Sequence, residues 1–356
     1  MRERPDFLAG LAARRSYFIA SAAAAVVLLA GNPLATAVGL AHWSRSGDER
    51  KIAVLERSDE VPEVLLLGSS RVKFGLAGSA IEERLSDRLG REIRAYNAAL
   101  PSSGVLEASW IFDQLVARLG CPKALVADVN VEGVNAASDR LEQGLRLYLP
   151  ASRWLGVLPQ LRDREQLDAV LAGLATGYGH LLYALDYPPG SAAARQEARR
   201  AWRCRGSIYG PPEVSCARRG RTSLAQEPET QLRRQLRWYR IRLRTLHQLD
   251  SFRLGGLPRQ GLEELIASCR RCGTQLVLVT LPTLYPWREW GWEEPVAETA
   301  RMAQELADAR GVRYVDFTPL GEELTLADFY DPGHLSRRGA LTLSRRVADL
   351  VAEGWH

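Results

Sequence analysis

Five short apolar runs recur along the chain, each followed by a turn-forming or polar residue and then by an amphipathic segment. An apolar run of this length, bounded by turn signals, is typical of a buried strand in a parallel sheet. Strands that alternate with helices predict an α/β fold, an open parallel sheet covered by helices on both faces. The predicted strands are 64–67, 93–96, 124–129, 275–281 and 312–317, and the predicted helices are 78–90, 104–119, 258–272, 295–310 and 335–356.

The composition is that of a globular protein. The chain has 356 residues, of which 46% are hydrophobic and 25% charged, and this excludes a disordered chain, a collagen and a polytopic membrane protein. The net charge of +5 is carried mainly by arginine. None of the usual nucleic-acid motifs appears, so we expect no nucleic-acid partner. A basic net charge suits an anionic surface of the cell envelope as well as it suits nucleic acid.

The residues that follow the predicted strands are the candidates for chemistry, because ligands of parallel sheets bind beyond the carboxyl ends of the strands. Ser70 follows the first strand in the turn Gly68-Ser69-Ser70, where a serine hydroxyl can be exposed. Such a serine needs a base within hydrogen-bond reach. Of the five histidines, only His334 lies in a turn three residues after an acid, Asp331, which can orient its imidazole.

These polar residues occur along the chain in the order Gly68-Ser69-Ser70, Asn97, Asn130 and Asp331-x-x-His334. The set resembles the SGNH/GDSL hydrolase superfamily over about residues 62–134 and 258–350. It also resembles the single-anchor extracytoplasmic branch that includes D-alanyl transfer proteins and polysaccharide O-acetyltransferases. The resemblance implies a flavodoxin-like three-layer α/β/α fold with a central parallel sheet. We expect Asn97 to brace its own loop through side-chain to backbone hydrogen bonds.

The resemblance also implies roles for individual residues. Ser70 is the expected nucleophile, His334 the base and Asp331 the orienting acid. The expected oxyanion hole consists of the Ser70 N–H, the backbone N–H near Ala99 and the side-chain amide of Asn130.

The sequence departs from the family pattern in each of the first three blocks. Ser69 stands where the family name has Asp, and Ala99 stands where a glycine is expected, unless Gly104 has that role. The third block reads Asp-Val-Asn at 128–130, and Asn135 competes with Asn130 for the oxyanion role.

An aromatic loop follows the fourth predicted strand and is expected to overhang the site. Its rings Tyr285, Trp287 and Trp290 are candidates for substrate binding if they are exposed, because aromatic faces stack on sugars or lie at membrane surfaces. The alternative is that they pack against the helix-rich insertion predicted at 135–257.

Within that insertion, residues 230–246 form an amphipathic helix with arginines on its outer face. This face is either solvated or in contact with anionic lipid or polymer.

The N-terminus predicts export. The apolar run 17–41 follows a basic stretch and is long enough to span a bilayer, which needs about 20 apolar residues. The positive-inside rule then places the rest of the chain outside the cytoplasm, in the periplasm. The alternative is a signal peptide cleaved near 35–37, with secretion of the remainder.

The domain organisation predicted from these patterns is 1–43 cytoplasmic stub and signal anchor, 44–61 linker, 62–134 first part of the core, 135–257 helix-rich insertion or cap, and 258–356 second part of the core.

The cysteines agree with an oxidising compartment. Cys204 and Cys216 flank a short polar loop that a disulfide can close there. Cys269 and Cys272 form a C-x-x-C at the end of a predicted helix, whereas a thioredoxin-type site has this motif at a helix start. No second ligand pair is spaced for zinc, and no glycine pattern for a dinucleotide or phosphate appears. We therefore expect no metal and no cofactor.

Three functions compete on this evidence. The first is a membrane-anchored serine O-acyltransferase that acts on a cell-envelope polymer, with a membrane-embedded partner that delivers the acyl group. The second is an esterase or deacylase with the same residues and water as acceptor. The third is a binding or assembly protein on a degenerate hydrolase fold.

Overall fold

The computed structural model describes residues 61–138, 157–161, 166–168, 229–245, 251–319 and 324–355, together with the single positions Ile52, Leu55, Leu141, Leu145 and Val170. The predicted anchor at 17–41 and the loop between Cys204 and Cys216 lie outside these residues. Within the described part of the chain, no helix is both long and apolar enough to cross a membrane. Ile52 and Leu55, which fall in the predicted linker, are helical and buried in the core.

The main sheet has five parallel strands in the order β2-β1-β3-β4-β5. Its strands are β1 (Val64–Leu67), β2 (Ala95–Asn97), β3 (Ala124–Asp128), β4 (Gln275–Thr280) and β5 (Arg313–Asp316). This is the flavodoxin-like strand order, and it confirms the predicted parallel sheet. The topological switch point of this order lies between β1 and β3, so the crevice in which ligands bind is expected where these two strands end.

Helices cover both faces of the sheet. They are α1 (Ser70–Gly75), α2 (Gly78–Leu89), α3 (Val105–Leu119), α4 (Val131–Val134), α5 (Glu229–Thr245), α6 (Gly256–Cys272), α7 (Trp287–Trp290), α8 (Glu293–Arg310) and α9 (Arg337–Glu353). Apolar side chains of α1, α2 and α9 pack on one face, and those of α3, α6 and α8 pack on the other. Between their end residues, the three central strands β1, β3 and β4 are apolar and buried, because successive side chains point into opposite layers that both exclude water.

A two-stranded hairpin lies between β5 and α9. It consists of the antiparallel strands β6 (Phe329–Asp331) and β7 (His334–Leu335). A second irregular connection joins the two ends of the predicted insertion, since Asn135 forms an isolated antiparallel bridge with Leu254. The two ends of the insertion therefore lie next to each other at the edge of the core. Within the described part of the insertion, the long helix is α5.

Candidate functional site

Three side chains from two ends of the chain form a hydrogen-bonded row beyond the sheet. Ser70 Oγ lies 2.9 Å from His334 Nε2. On the other side of the ring, His334 Nδ1 lies 2.9 Å from Asp331 Oδ1 and 3.0 Å from Oδ2. These are the distances that a nucleophile, its base and an orienting acid require. The three predicted residues are thus brought together, and their geometry permits proton transfer from the serine to the imidazole.

The turn that carries Ser70 is built around a buried carboxylate that the sequence analysis did not identify as important. Asp128, at the end of β3, accepts hydrogen bonds from Ser69 N–H at 2.9 Å, from Ser69 Oγ at 2.7 Å and from Asn130 Nδ2 at 2.7 Å. Burial raises the pKa of Asp128, and the Ser69 and Asn130 donors oppose that rise by stabilising its carboxylate. Ser69 is at the same time the N-cap of α1, because its Oγ accepts from Arg71 N–H.

Gly68 is required by this carboxylate. Its φ is +133°, and a Cβ atom at this position would lie 1.8 Å from Asp128 Oδ1. A side chain at Gly68 would therefore displace Asp128, and with it the turn that presents Ser70. The glycine and the carboxylate together explain how a sharp turn at the end of β1 leads directly into α1.

The hairpin β6–β7 holds the histidine and its acid. Asp331 Oδ1 also accepts the Gly333 N–H at 2.9 Å, so the turn between the two strands is closed by the same carboxylate that contacts His334. Burial by itself would raise the pKa of Asp331, but His334, the Gly333 N–H and Tyr239 of α5 together hold it below the usual value. Asp331 is therefore a carboxylate near neutral pH.

Two backbone donors considered for the oxyanion hole are already used inside their loops. The N–H of Ala99 donates to Asn97 Oδ1 at 3.1 Å. The N–H of Gly104 donates to Glu107 Oε2 at 2.6 Å. Neither amide is thus available in this structure to an oxyanion. The Ser70 N–H, in contrast, lies in the first turn of α1, where helix geometry provides no intrahelical acceptor.

Asn130 lies at the predicted strand end, and Asn135 has a different structural role. Asn130 caps α4 through Gly133 N–H at 2.8 Å and gives one amide hydrogen to Asp128, which leaves its second amide hydrogen for another acceptor. Asn135 donates to the Ser251 carbonyl at 2.8 Å, and its Oδ1 accepts two backbone N–H groups. Asn135 therefore fixes the base of the insertion and does not compete with Asn130.

Asn97 braces its own loop, as expected, by accepting the Ala99 N–H, and it also braces the nucleophile helix. Its Nδ2 donates to the carbonyls of Val72 at 2.9 Å and Leu76 at 2.7 Å, the second of which is the C-cap of α1. The Val72 carbonyl accepts this hydrogen bond in addition to the one from the Leu76 N–H, so Asn97 holds the last turn of α1 at both carbonyls.

Two rings of the aromatic loop follow the alternative in which they pack against the insertion. Tyr285 and Trp290 are each only 9% exposed and pack against Leu236, Tyr239 and Leu243 of α5. The insertion helix therefore covers these two rings.

Trp287 is partly buried in the same cluster. It also lines a shallow pocket beside the strand ends, together with Arg71, Asn130, Thr280 and Thr283. Of the three predicted aromatic side chains, Trp287 is therefore the one that borders open space next to the site.

A buried ion pair supports the floor of this pocket. Arg71, directly after the serine, forms a salt bridge with Glu132 of α4, and both residues are buried. The Arg71 guanidinium also lies 5.7 Å from the centre of the Tyr285 ring. Burial opposes the charge of Arg71, but Glu132 keeps the pKa of Arg71 above its ordinary value. This pair ties α1 to α4 across the switch point.

The cysteine pairing differs from what the C-x-x-C spacing alone suggests. Cys272 forms a disulfide with Cys121, which precedes β3, and the two are 151 residues apart in sequence. Cys269 is a buried free thiol, and burial together with nearby Asp113 raises its pKa to about 12. Within the described residues, no group of three or more His, Cys, Asp or Glu side chains is arranged to hold a metal ion.

Comparison with known proteins finds similarity only among solved structures. No protein-family model and no curated protein matches the chain. A catalytic mutant of Axe2, an acetylxylan esterase from Geobacillus stearothermophilus, is 13% identical with a TM-score of 0.38, over 82% of this chain and 94% of that one. Est24, a carbohydrate acetylesterase from Sinorhizobium meliloti, is 14% identical with a TM-score of 0.33, over 82% and 98%. The aryl esterase of M. smegmatis is 12% identical with a TM-score of 0.33, over 82% and 99%. Similarity at this level carries no argument about activity, which has to rest on the site itself.

Proposed function

We propose that this protein is a serine enzyme of the SGNH esterase type, in which Ser70, His334 and Asp331 carry out acyl transfer through an acyl-serine intermediate. The observation that carries the proposal is the row Ser70 Oγ···His334 Nε2 at 2.9 Å and His334 Nδ1···Asp331 Oδ1 at 2.9 Å. An imidazole held between a carboxylate and a serine hydroxyl is the arrangement that activates a serine for attack on an ester.

The reaction follows from these contacts. As Ser70 Oγ attacks the ester carbonyl carbon, its proton moves to His334 Nε2, and Asp331 stabilises the resulting imidazolium through Nδ1. The Ser70 N–H and the free amide hydrogen of Asn130 are the donors proposed for the oxyanion. His334 then gives the proton to the leaving alkoxide, which leaves an ester on Ser70. A second hydroxyl, deprotonated by His334, attacks this ester and frees the serine.

We propose that the second hydroxyl belongs to a cell-envelope polymer and that the protein works outside the cytoplasm. The basic stretch ahead of the apolar run 17–41 supports export and an N-terminal anchor. The Cys121–Cys272 disulfide supports an oxidising compartment. Trp287, beside the pocket at the strand ends, is the candidate ring for stacking on a sugar acceptor. An acyl donor delivered by a membrane-embedded partner would complete the cycle.

The first test is covalent capture of the serine. Purified full-length protein is treated with a fluorophosphonate probe, and wild type is compared with Ser70→Ala, His334→Ala and the control Ser79→Ala on α2. We expect strong labelling of wild type and Ser79→Ala and none of the other two. Labelling that persists in Ser70→Ala would contradict the proposal by assigning the reactive nucleophile to another residue. Absence of labelling from folded wild type would contradict it as well and would favour a binding protein.

The second test separates transfer from hydrolysis. Wild type is supplied with an activated acetyl ester, with and without soluble fragments of envelope glycan, and the acetate and acetylated glycan formed are quantified. Acetylated glycan as the main product supports acyl transfer. Release of acetate alone, at a rate that the glycan does not change, identifies an esterase that uses the same residues.

A further inference from the structure

The outer face of α5 combines positive charge with exposed apolar side chains. Glu229, the first residue of the helix, is its only acid, whereas its basic residues are Arg233, Arg234, Arg237, Arg240, Arg242 and Arg244. On the same helix, Trp238 is 52% exposed and Ile241 is 55% exposed. They are the two most exposed large apolar side chains in the part of the chain that the structure describes. Such a surface differs from the ordinary solvated face of an amphipathic helix, which carries polar and charged residues.

Trp238 and Ile241 lie in the middle of this surface. Residues three or four apart share one side of a helix, so Arg234, Trp238 and Ile241 form a single stripe. The Arg242 guanidinium lies 5.3 Å from the centre of the Trp238 ring, beside the stripe. With the exposed arginines on either side, the stripe makes up what we call the basic face of α5, which consists of Arg234, Arg237, Trp238, Ile241, Arg242 and Arg244.

Helix stability does not account for all of these arginines. Within the described residues, none of the four arginines of the basic face forms a salt bridge with a carboxylate. Arg242 and Arg244 lie in the last turn, where they interact favourably with the helix dipole. Arg234 and Arg237 are too far from the helix end to gain from that dipole, and like charges three residues apart repel each other. An anionic partner would offset this repulsion.

The inner face of α5 fixes the helix next to the candidate site. Three of its side chains pack against Tyr285 and Trp290, which belong to the loop after β4. The same loop contacts the turn that carries the histidine, because the Leu284 N–H donates to the Pro332 carbonyl at 2.8 Å. A partner bound to the basic face is therefore held by the helix that covers the loop beside the site.

The chain ahead of the core is too short to let the domain move far from a membrane. The predicted span ends at residue 41, and Ile52 is already buried in the core. The distance between these two positions is at most about 40 Å, even for fully extended backbone at about 3.6 Å per residue. A folded domain of about 300 residues has a radius of gyration of about 19 Å. A tether of this length therefore keeps the surface of the domain close to the bilayer.

We propose that the basic face of α5 binds the anionic headgroups of the membrane that anchors the protein, with Trp238 and Ile241 entering the interface between headgroups and acyl chains. Arginines attract anionic lipids, while an indole and an aliphatic side chain gain from burial at that depth. An anionic polysaccharide would pair with the arginines, but it offers no apolar environment to Ile241. The inference goes beyond the proposed function, since it rests on the proposed membrane anchor and not on the reactivity of Ser70.

The test measures insertion of Trp238 into lipid. Full-length protein is reconstituted into vesicles of phosphatidylcholine brominated in its acyl chains, with or without phosphatidylglycerol, and into matched vesicles without bromine. Bromine quenches only indoles that enter the bilayer, and the emission of Trp238 is obtained as the difference between wild type and Trp238→Phe. The charge variant is Arg234→Gln/Arg237→Gln. Its matched control is Arg270→Gln/Arg310→Gln, which removes two exposed arginines from the last turns of α6 and α8.

We expect bromine to quench the Trp238 emission when phosphatidylglycerol is present, and to quench it less in phosphatidylcholine alone or at high salt. Arg234→Gln/Arg237→Gln should lower the ratio of inserted to free Trp238 about fivefold for each arginine removed, the effect of one cationic side chain at an anionic surface. The control variant should match wild type.

Trp238 emission that bromine leaves unchanged in phosphatidylglycerol vesicles would overturn the inference, and so would quenching that is independent of both phosphatidylglycerol and the arginines. A response of Trp238 to soluble polygalacturonate but not to vesicles would overturn it in favour of an anionic polymer. Fluorophosphonate labelling of the same samples separates the two proposals. Quenched Trp238 without labelling means that the proposed function fails and the membrane contact stands, and labelling with unquenched Trp238 means the reverse.

Discussion

The substitution Gly68→Ala tests whether the serine turn depends on the buried Asp128 carboxylate. The added Cβ would lie 1.8 Å from Asp128 Oδ1 and 2.8 Å from its Cγ, on a backbone with φ of +133°. Such a backbone conformation costs a residue with a side chain about 1–3 kcal/mol. The clash also displaces a carboxylate that accepts three hydrogen bonds, and the loss of one of them costs about 1.5–3 kcal/mol.

We therefore expect Gly68→Ala to lower the free energy of unfolding by about 2.5–6 kcal/mol, a large share of the 5–15 kcal/mol typical of a folded domain. The matched control is Gly311→Ala, where φ is +65° and no atom lies within 4 Å of the new Cβ. That control carries only backbone strain, about 1–2 kcal/mol. Both are measured by urea unfolding followed by tryptophan fluorescence. If the two variants lose the same stability within error, the account of the turn as a glycine fitted to Asp128 is refuted.

Three further predictions concern other parts of the structure. Cys121→Ser should lower the free energy of unfolding by about 2–5 kcal/mol in urea, because a disulfide that closes a long loop is lost, and an unchanged free energy of unfolding would contradict this. Arg71→Met should cost about 3–5 kcal/mol in the same assay by leaving Glu132 buried without its partner, and the double variant Arg71→Met/Glu132→Leu should recover most of that loss. The depressed pKa of Asp331 means that its carboxylate stabilises the fold fully above the unfolded value of about 4, and that this contribution disappears as the pH falls through the lower folded pKa. The difference in unfolding free energy between wild type and Asp331→Asn should accordingly be largest above about pH 5 and shrink under acid, and a difference that grows on acidification would contradict this sign.

The strand ends were predictable because strand and helix periodicity are local. The sequence analysis located all five strands of the sheet to within about three residues, and the observed order follows the rule for doubly wound folds. It also selected the serine, histidine and aspartate that the structure brings into one row. Asp331 and His334 could be identified from the sequence because they share one short turn. Ser70 could be identified because it directly follows a predicted strand.

The neighbours of these residues were not predictable in the same way. Asp128 reads in sequence as a position inside the predicted strand 124–129, and only the register of β1 beside β3 shows that its carboxylate meets Ser69. Tyr239 reads as one apolar position on an amphipathic helix, and only the fold shows that its ring lies 5.5 Å from the Tyr285 ring. The sequence left open whether the aromatic loop is exposed, because a loop sequence does not specify which helix packs on it, and the structure places α5 over Tyr285 and Trp290.

The parallel α/β architecture and the positions at which chemistry is possible could be predicted from the sequence, because both depend on patterns within about ten to twenty residues. Tertiary packing fixes which groups surround those positions: the carboxylate under the serine turn, the helix over the aromatic loop, and the partner of Cys272. Each of these contacts joins segments far apart in the chain. The energies of these contacts depend on how the buried layers pack and on which buried polar groups need hydrogen-bond partners. Local periodicity of the sequence carries no information about either.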